Sequence, residues 1–275
     1  MHKHIKTNLT ITIIASFCFP LLVPAQTPFH HSILDTVLFS HVNDAGLVDY
    51  ASLQKDRTML DSYIDSIGSV SPQSHPERFA SSAHQLAYWI NVYNALVLRG
   101  IIDAYPIESV KDIKLFNGFF NRQTWNVGGR PLTLDEIEND IIRPQFKEPR
   151  IHFVLNCGAK SCPPLENRAF TGASLEYRLE KAVMRFTASE NFFELREDQL
   201  ILSKIIDWYR SDFHHQKPSN NPQSTVIDPL ISYFIPYADP SMRDLLRQPT
   251  LNVEFRDYDW SLNKQKTSSP LAPKP

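Results

Sequence analysis

Two thiols, an imidazole and an amide crowd one short stretch of the chain, Arg150-Ile-His152-Phe-Val-Leu-Asn156-Cys157-Gly158-Ala-Lys160-Ser-Cys162-Pro-Pro-Leu165. A cysteine thiolate, a histidine general base and an amide or carboxylate to orient it are the groups that nucleophilic attack on an acyl carbon requires. Cys162 and Cys157 are the candidate nucleophiles, His152 the candidate base, and Glu138 or Asn94 the group that orients it. Lys160 and the backbone N–H groups near Gly158 and Ala159 would favour a thiolate and serve as an oxyanion hole. Residues five apart on a strand point to opposite faces, so His152 meets Cys157 only if the chain turns at Asn156. Cys162, beyond that turn, folds back more readily.

The same residues admit two other readings. Cys157 and Cys162 flank a short loop containing Gly158, and in an oxidising compartment such a pair closes a small disulfide and leaves no resting nucleophile. With His152 they also supply three of four zinc ligands, but no second paired motif offers the fourth, so neither metal nor cofactor is expected. No nucleophile-elbow motif, phosphate-binding glycine loop or dinucleotide fingerprint occurs. Two functions follow. One is a cysteine-type hydrolase or acyl-transfer enzyme acting on peptide or amide bonds; the other is a non-catalytic module that binds a small molecule or peptide, with the cysteines as a staple.

Several elements must position these groups. Ile151, Phe153, Val154 and Leu155 form an apolar run stopped by Asn156, Gly158 and two prolines, which predicts a buried strand ending in a tight turn. The longest helical signal spans about Glu77 to Tyr105, with Leu86, Ile90, Tyr93, Val97 and Ile101 on one face and more apolar residues elsewhere, so this helix is buried on most sides. His84, Tyr88, Asn91 and Asn94 make a polar stripe along it. Either these amides satisfy neighbouring backbone, or Asn91, Asn94 and Tyr88 line a cleft and bind a ligand together with Lys160 and Arg150.

Gly128-Gly129 between strand-like runs marks a hairpin, and Thr133 with Glu136 forms a capping box for a helix whose apolar stripe is Leu134, Ile137 and Ile141. Helices are also expected over Phe29–Val42, Leu53–Gly68, Leu175–Phe186, Lys204–Phe213 and Ile227–Ile235, with a short amphipathic piece near Val110–Phe116. A second hairpin spans Phe192–Ser203 and a strand Leu251–Phe255. His214-His215 and the polar stretch Lys217–Ser224 read as loop. Together these give an α+β fold, a mainly helical single domain with a small, largely antiparallel sheet.

Composition bounds the partners. The 275 residues are 42% hydrophobic and 21% charged, and 28 basic against 30 acidic side chains leave a formal net charge of -2, with no field to recruit nucleic acid or an anionic membrane. His2, Lys3, His4 and Lys6 precede an apolar run from Leu9 to Val23 that ends in Val23-Pro24-Ala25. That pattern is a secretory signal peptide cleaved near Ala25, which places the mature chain in the periplasm or outside the cell, free of membrane. The remaining chain divides into one domain over 26–263 and a disordered tail over 264–275. Oligomeric state is open.

Four segments carry a family resemblance: Tyr88-Trp-Ile-Asn-Val-Tyr-Asn-Ala-Leu96, Leu132-Thr-Leu-Asp-Glu-Ile-Glu138, the stretch from Pro149 to Leu165, and Leu202-Ser-Lys-Ile-Ile-Asp-Trp-Tyr-Arg-Ser-Asp-Phe213. Taken together the chain resembles the family catalogued as domain of unknown function 547, over about Ser82 to Phe213. Tyr258-Asp-Trp-Ser-Leu-Asn263 is similar to the usual end of its secreted bacterial members. The resemblance implies a shared domain and brings no substrate or catalytic residue with it.

Overall fold

The structure, a computed structural model, describes residues 27–114, 117–196, 198–213, 227–248 and 250–266. The leader over residues 1–25, the loop from His214 to Ser224 and the tail beyond 266 lie outside the described residues. The chain begins with three helices, α1 (Ser32–His41), α2 (Tyr50–Lys55) and α3 (Thr58–Ser69), so the single helix expected over Leu53–Gly68 is two. Asp49 caps α2 by accepting the Ser52 N–H, and α2 ends at Asp56 before α3 starts at Thr58.

The central element is α4 (Ser82–Ala104), which buries Leu86, Trp89, Ile90, Val92, Leu96, Val97 and Ile101 on several sides. A helix apolar all round needs neighbours all round, and α2, α3, α7 and the turn after the hairpin supply them. After α5 (Gly118–Asn121) the strands β1 (Trp125–Val127) and β2 (Arg130–Leu132) form the expected hairpin, with Gly128 and Gly129 both at positive φ. The N–H groups of these glycines donate to the carbonyls of Ile67 and Gly68, which fixes the hairpin on the end of α3.

The capping box is present: the Thr133 N–H donates to Glu136 Oε2 at 2.7 Å and the Glu136 N–H to Thr133 Oγ1 at 3.1 Å. The helix it opens is widened to π geometry over Glu136–Ile142 before continuing as α6 (Arg143–Phe146). Such widened turns recur at functional sites, because they re-aim a side chain without ending the helix.

One expectation is overturned. Residues Pro149–Phe153 form a 3-10 helix rather than a strand. Pro149 occupies the first turn, where its missing N–H costs nothing, and the Glu148 carboxylate caps the Arg150 N–H at 3.1 Å. The apolar run is buried as expected, but it spirals, and the N–H groups of Val154 and Leu155 both return to the Ile151 carbonyl.

Beyond the cysteine loop lie α7 (Leu175–Thr187), the antiparallel pair β3 (Phe193–Arg196) and β4 (Gln199–Leu202), and α8 (Lys204–Trp208), with a 3-10 turn over Arg210–Phe213. Then come α9 (Pro229–Phe234), α10 (Arg243–Leu246) and β5 (Asn252–Phe255), which pairs parallel to β4. The result is a mainly helical α+β domain with two small sheets, mostly antiparallel. Among the described residues no helix is long and apolar enough to cross a membrane. Lys264 and Gln265, which the sequence assigns to the tail, are held: Lys264 bridges Val48, and the Gln265 N–H donates to the Val48 carbonyl.

The polar stripe on α4 serves the core. Asn91 donates to the Phe170 carbonyl at 2.8 Å and accepts the Phe170 N–H at 2.9 Å, closing both polar groups of a buried loop residue. Replacing it by alanine leaves that peptide unit without partners in a dry interior. We expect Asn91→Ala to lower unfolding stability by about 2–4 kcal/mol, measured by urea denaturation; a loss below about 1 kcal/mol would contradict this role.

Candidate active site

His152 is anchored by a carboxylate and by an aromatic ring. It is 3% exposed, and its ring stacks on Tyr209 with centroids 3.9 Å apart. Its Nε2 lies 2.8 Å from Asp212 Oδ2. Asp212 in turn receives two bonds from the Arg143 guanidinium, Nε to Oδ2 and Nη2 to Oδ1, each 2.7 Å. Burial opposes ionisation of Asp212, yet Arg143 and His152 together hold its carboxyl well below the ordinary value of 3.8. With Nε2–H donating to an ionised Asp212, Nδ1 keeps the lone pair, the arrangement that a histidine base needs.

Nδ1 is turned toward Glu138, whose Oε1 is 4.0 Å away. That separation is too long for a hydrogen bond but lets one oxygen sit about 2.8 Å from both groups. Glu138 is buried, at 7% exposed. The π turn places it at the floor of a cleft of about 410 Å³ that also takes in His152, Cys157 and Cys162. Tyr93 from α4, Tyr209 after α8 and Tyr258 from the final segment complete the lower walls. Burial first, and the Glu138 carboxylate next, push all three phenols upward, so each stays a hydrogen-bond donor.

Cys157 and Cys162 are joined in a disulfide, with Cα atoms 6.2 Å apart. In this form neither sulfur is a thiolate. The Cys157 N–H nonetheless points at Cys162 Sγ at 2.9 Å, and the Tyr258 hydroxyl lies 3.1 Å from each sulfur. The oxyanion hole expected at Gly158 is not free, because the Gly158 N–H donates to Asn156 Oδ1 at 2.8 Å. Gly158 itself is required: its φ is +85°, and a Cβ there would collide with Ile101 and Val110.

The other expected ligand-binding residues lie elsewhere. Asn94 donates to the Val154 carbonyl and accepts the Asn156 N–H, holding the loop rather than the imidazole. The Tyr88 hydroxyl donates to the Val70 carbonyl inside an aromatic cluster with Phe29, Phe79 and Trp89. Arg150 is clamped between Glu148 and Glu176. Lys160 is half exposed near Asp259 and borders a separate hollow. Among the described residues no group of three histidine, cysteine or acidic side chains is placed to hold a metal ion.

The geometry brings together Cys157, Cys162, His152 and Glu138, and adds Asp212, Tyr93, Tyr209 and Tyr258, which the sequence reading did not single out. Residues 77–187 match the model of a family described as "Protein of unknown function, DUF547". The DUF547 segment carries α4, the π turn, His152 and both cysteines, whereas Asp212, Tyr209, Trp208, Tyr258 and Trp260 follow it in the chain. No curated protein and no solved structure matches the chain.

Because the folded Asp212 carboxyl is held below its ordinary value, its pairing contributes stability above about pH 4 and loses it as the pH falls further. We expect Asp212→Asn to cost about 3 kcal/mol near pH 7, since it removes the ion-pair partner of Arg143, and less than half of that near pH 2. Chemical denaturation of both proteins at the two pH values checks this; a pH-independent difference would contradict it.

Proposed function

We propose that the protein is a hydrolase or acyl-transfer enzyme of cysteine type, with His152 as base, Asp212 as the group that positions it, and a thiolate of the Cys157–Cys162 pair as nucleophile. The observation that carries the reading is the single cleft shared by an anchored imidazole, a buried carboxylate and both sulfurs. The disulfide form is then the resting state. A dithiol donor supplies two electrons and two protons, becomes a disulfide itself, and leaves two thiols in the cleft.

Cys162 is the better nucleophile of the two. Its sulfur faces the Cys157 N–H and the Tyr258 hydroxyl, two donors that stabilise a thiolate far better than a disulfide sulfur. Attack on an acyl carbon forms a tetrahedral adduct, and Tyr258, already directed at this position, can donate to the oxyanion in place of the occupied Gly158 N–H. His152 protonates the leaving amine or alcohol and the thioester forms. A water deprotonated by His152 then cleaves the thioester, returning the acid product and the thiolate. A water bridging the 4.0 Å between His152 Nδ1 and Glu138 Oε1 would be placed to lose that proton.

The disulfide itself favours a second reading, in which the pair is a permanent staple and the cleft binds without catalysis. The leader read from the sequence supports it too, since a periplasmic or extracellular compartment keeps such bonds closed.

Turnover separates the two. Across a panel of chromogenic esters and peptidyl amides, we expect hydrolysis that appears on reduction, is abolished by iodoacetamide, and falls by about 100-fold or more in Cys162→Ser and His152→Asn. Circular dichroism melts verify that the variants fold. Activity indifferent to reductant and to Cys162→Ser, or none on any substrate after reduction, would remove the thiol mechanism and leave the staple.

A further inference from the structure

The wall of the cleft has a chemistry of its own. Trp208, 46% exposed, meets Tyr258 and Trp260 with ring centroids 4.7 and 5.7 Å away, and Tyr258 and Trp260 are 4.6 Å apart. These three rings line the cleft, as do Tyr93 and Tyr209. Aromatic faces carry negative electrostatic potential.

The fixed charges have the same sign. Asp135 and Glu138 line the cleft, and among the described residues no lysine or arginine does. Arg143, close by, is engaged by Asp212 through two bonds. An anionic ligand would therefore meet two carboxylates and a wall of π faces with no lysine or arginine among the described lining residues to offset them, which is costly in a partly desolvated pocket. An organic cation meets the reverse. Trp260 already holds one: the Lys111 Nζ lies 4.3 Å from its ring centroid.

We infer that the cleft selects substrates bearing an ammonium group near the bond attacked, with the packed rings of Trp208, Tyr258 and Trp260 forming one wall against the cation and Asp135 and Glu138 supplying the countercharge. This rests on the reading of the cleft as the substrate site and adds to it the class of substrate: amine-bearing esters or amides. Asp135 is exposed, so its share weakens with salt, while Glu138, buried, keeps its share.

Binding can be read without turnover. The full chain in its disulfide form is titrated with choline, with dimethylbutanol as the uncharged isostere, and with cellobiose as a neutral polyhydroxyl probe, following tryptophan fluorescence. The expected result is a saturable change with choline at least about tenfold tighter than with dimethylbutanol. Asp135→Asn should weaken choline several-fold and leave the isostere unaffected, and Trp208→Ala should weaken choline with an unchanged melting temperature. Equal affinity for choline and its isostere, no saturation by choline, or saturation by cellobiose alone would overturn the inference. Because the disulfide form is used, such a failure leaves the thiol chemistry standing, and loss of the thiol chemistry leaves this titration meaningful.

Discussion

An irregular loop can cross a protein interior only if every buried peptide group finds a partner, and Asn156 is the residue that makes this possible here. It is 3% exposed and engaged from every side. Its N–H donates to Asn94 Oδ1 and its amide Nδ2 to the Pro163 carbonyl, while its Oδ1 accepts from the Gly158 N–H and from Asn263 Nδ2. Asn263 is secured in its turn by the Tyr50 hydroxyl at 2.6 Å. One amide thus ties the cysteine loop to α4 on one side and to the final segment on the other. A partly satisfied network of this kind would be worse than an apolar core, so its completeness defines the loop's one conformation.

From that constraint the cleft follows. With the loop pinned, the N–H groups of Lys160 and Ser161 are taken by the carbonyls of Ser261 and Asp259, and Tyr258 is brought over both sulfurs. His152, on the 3-10 turn just before the loop, is set independently by Asp212 and the Tyr209 ring. The two cysteines and His152 are therefore held by two separate networks that meet at the cleft. Such preorganisation leaves little rearrangement for a reaction to drive.

Local chemistry was legible in the sequence, and long-range assembly was not. Thr133 and Glu136 announced a capping box and Gly128-Gly129 a hairpin because each signal depends on residues a few positions apart. The run Ile151 to Leu155 misled, since a short apolar segment has no period that separates a strand from a 3-10 turn; Pro149 and the Glu148 cap carried the deciding information. His152, Cys157, Cys162 and Glu138 could be proposed as one site by chemical type alone. Asp212 lay in a segment that read only as an amphipathic helix, and nothing local distinguishes it from a solvated aspartate until Arg143, sixty-nine residues earlier, closes on it. Asn91 and Asn94 show the reverse: their polarity was conspicuous, but each is consumed by one loop's backbone.

The central claim is that one sulfur, once released, is activated by its neighbours and by the anchored imidazole. The most direct measurement is the alkylation rate of each cysteine across pH in the freshly reduced protein, resolved by peptide mass spectrometry, for the wild type and for His152→Asn. The account requires Cys162 to react faster than Cys157, with a thiolate inflection below the ordinary thiol value that moves when His152 is replaced. Equal rates for the two cysteines, with inflections at the ordinary value of about 8.5 and no response to the substitution, would contradict it.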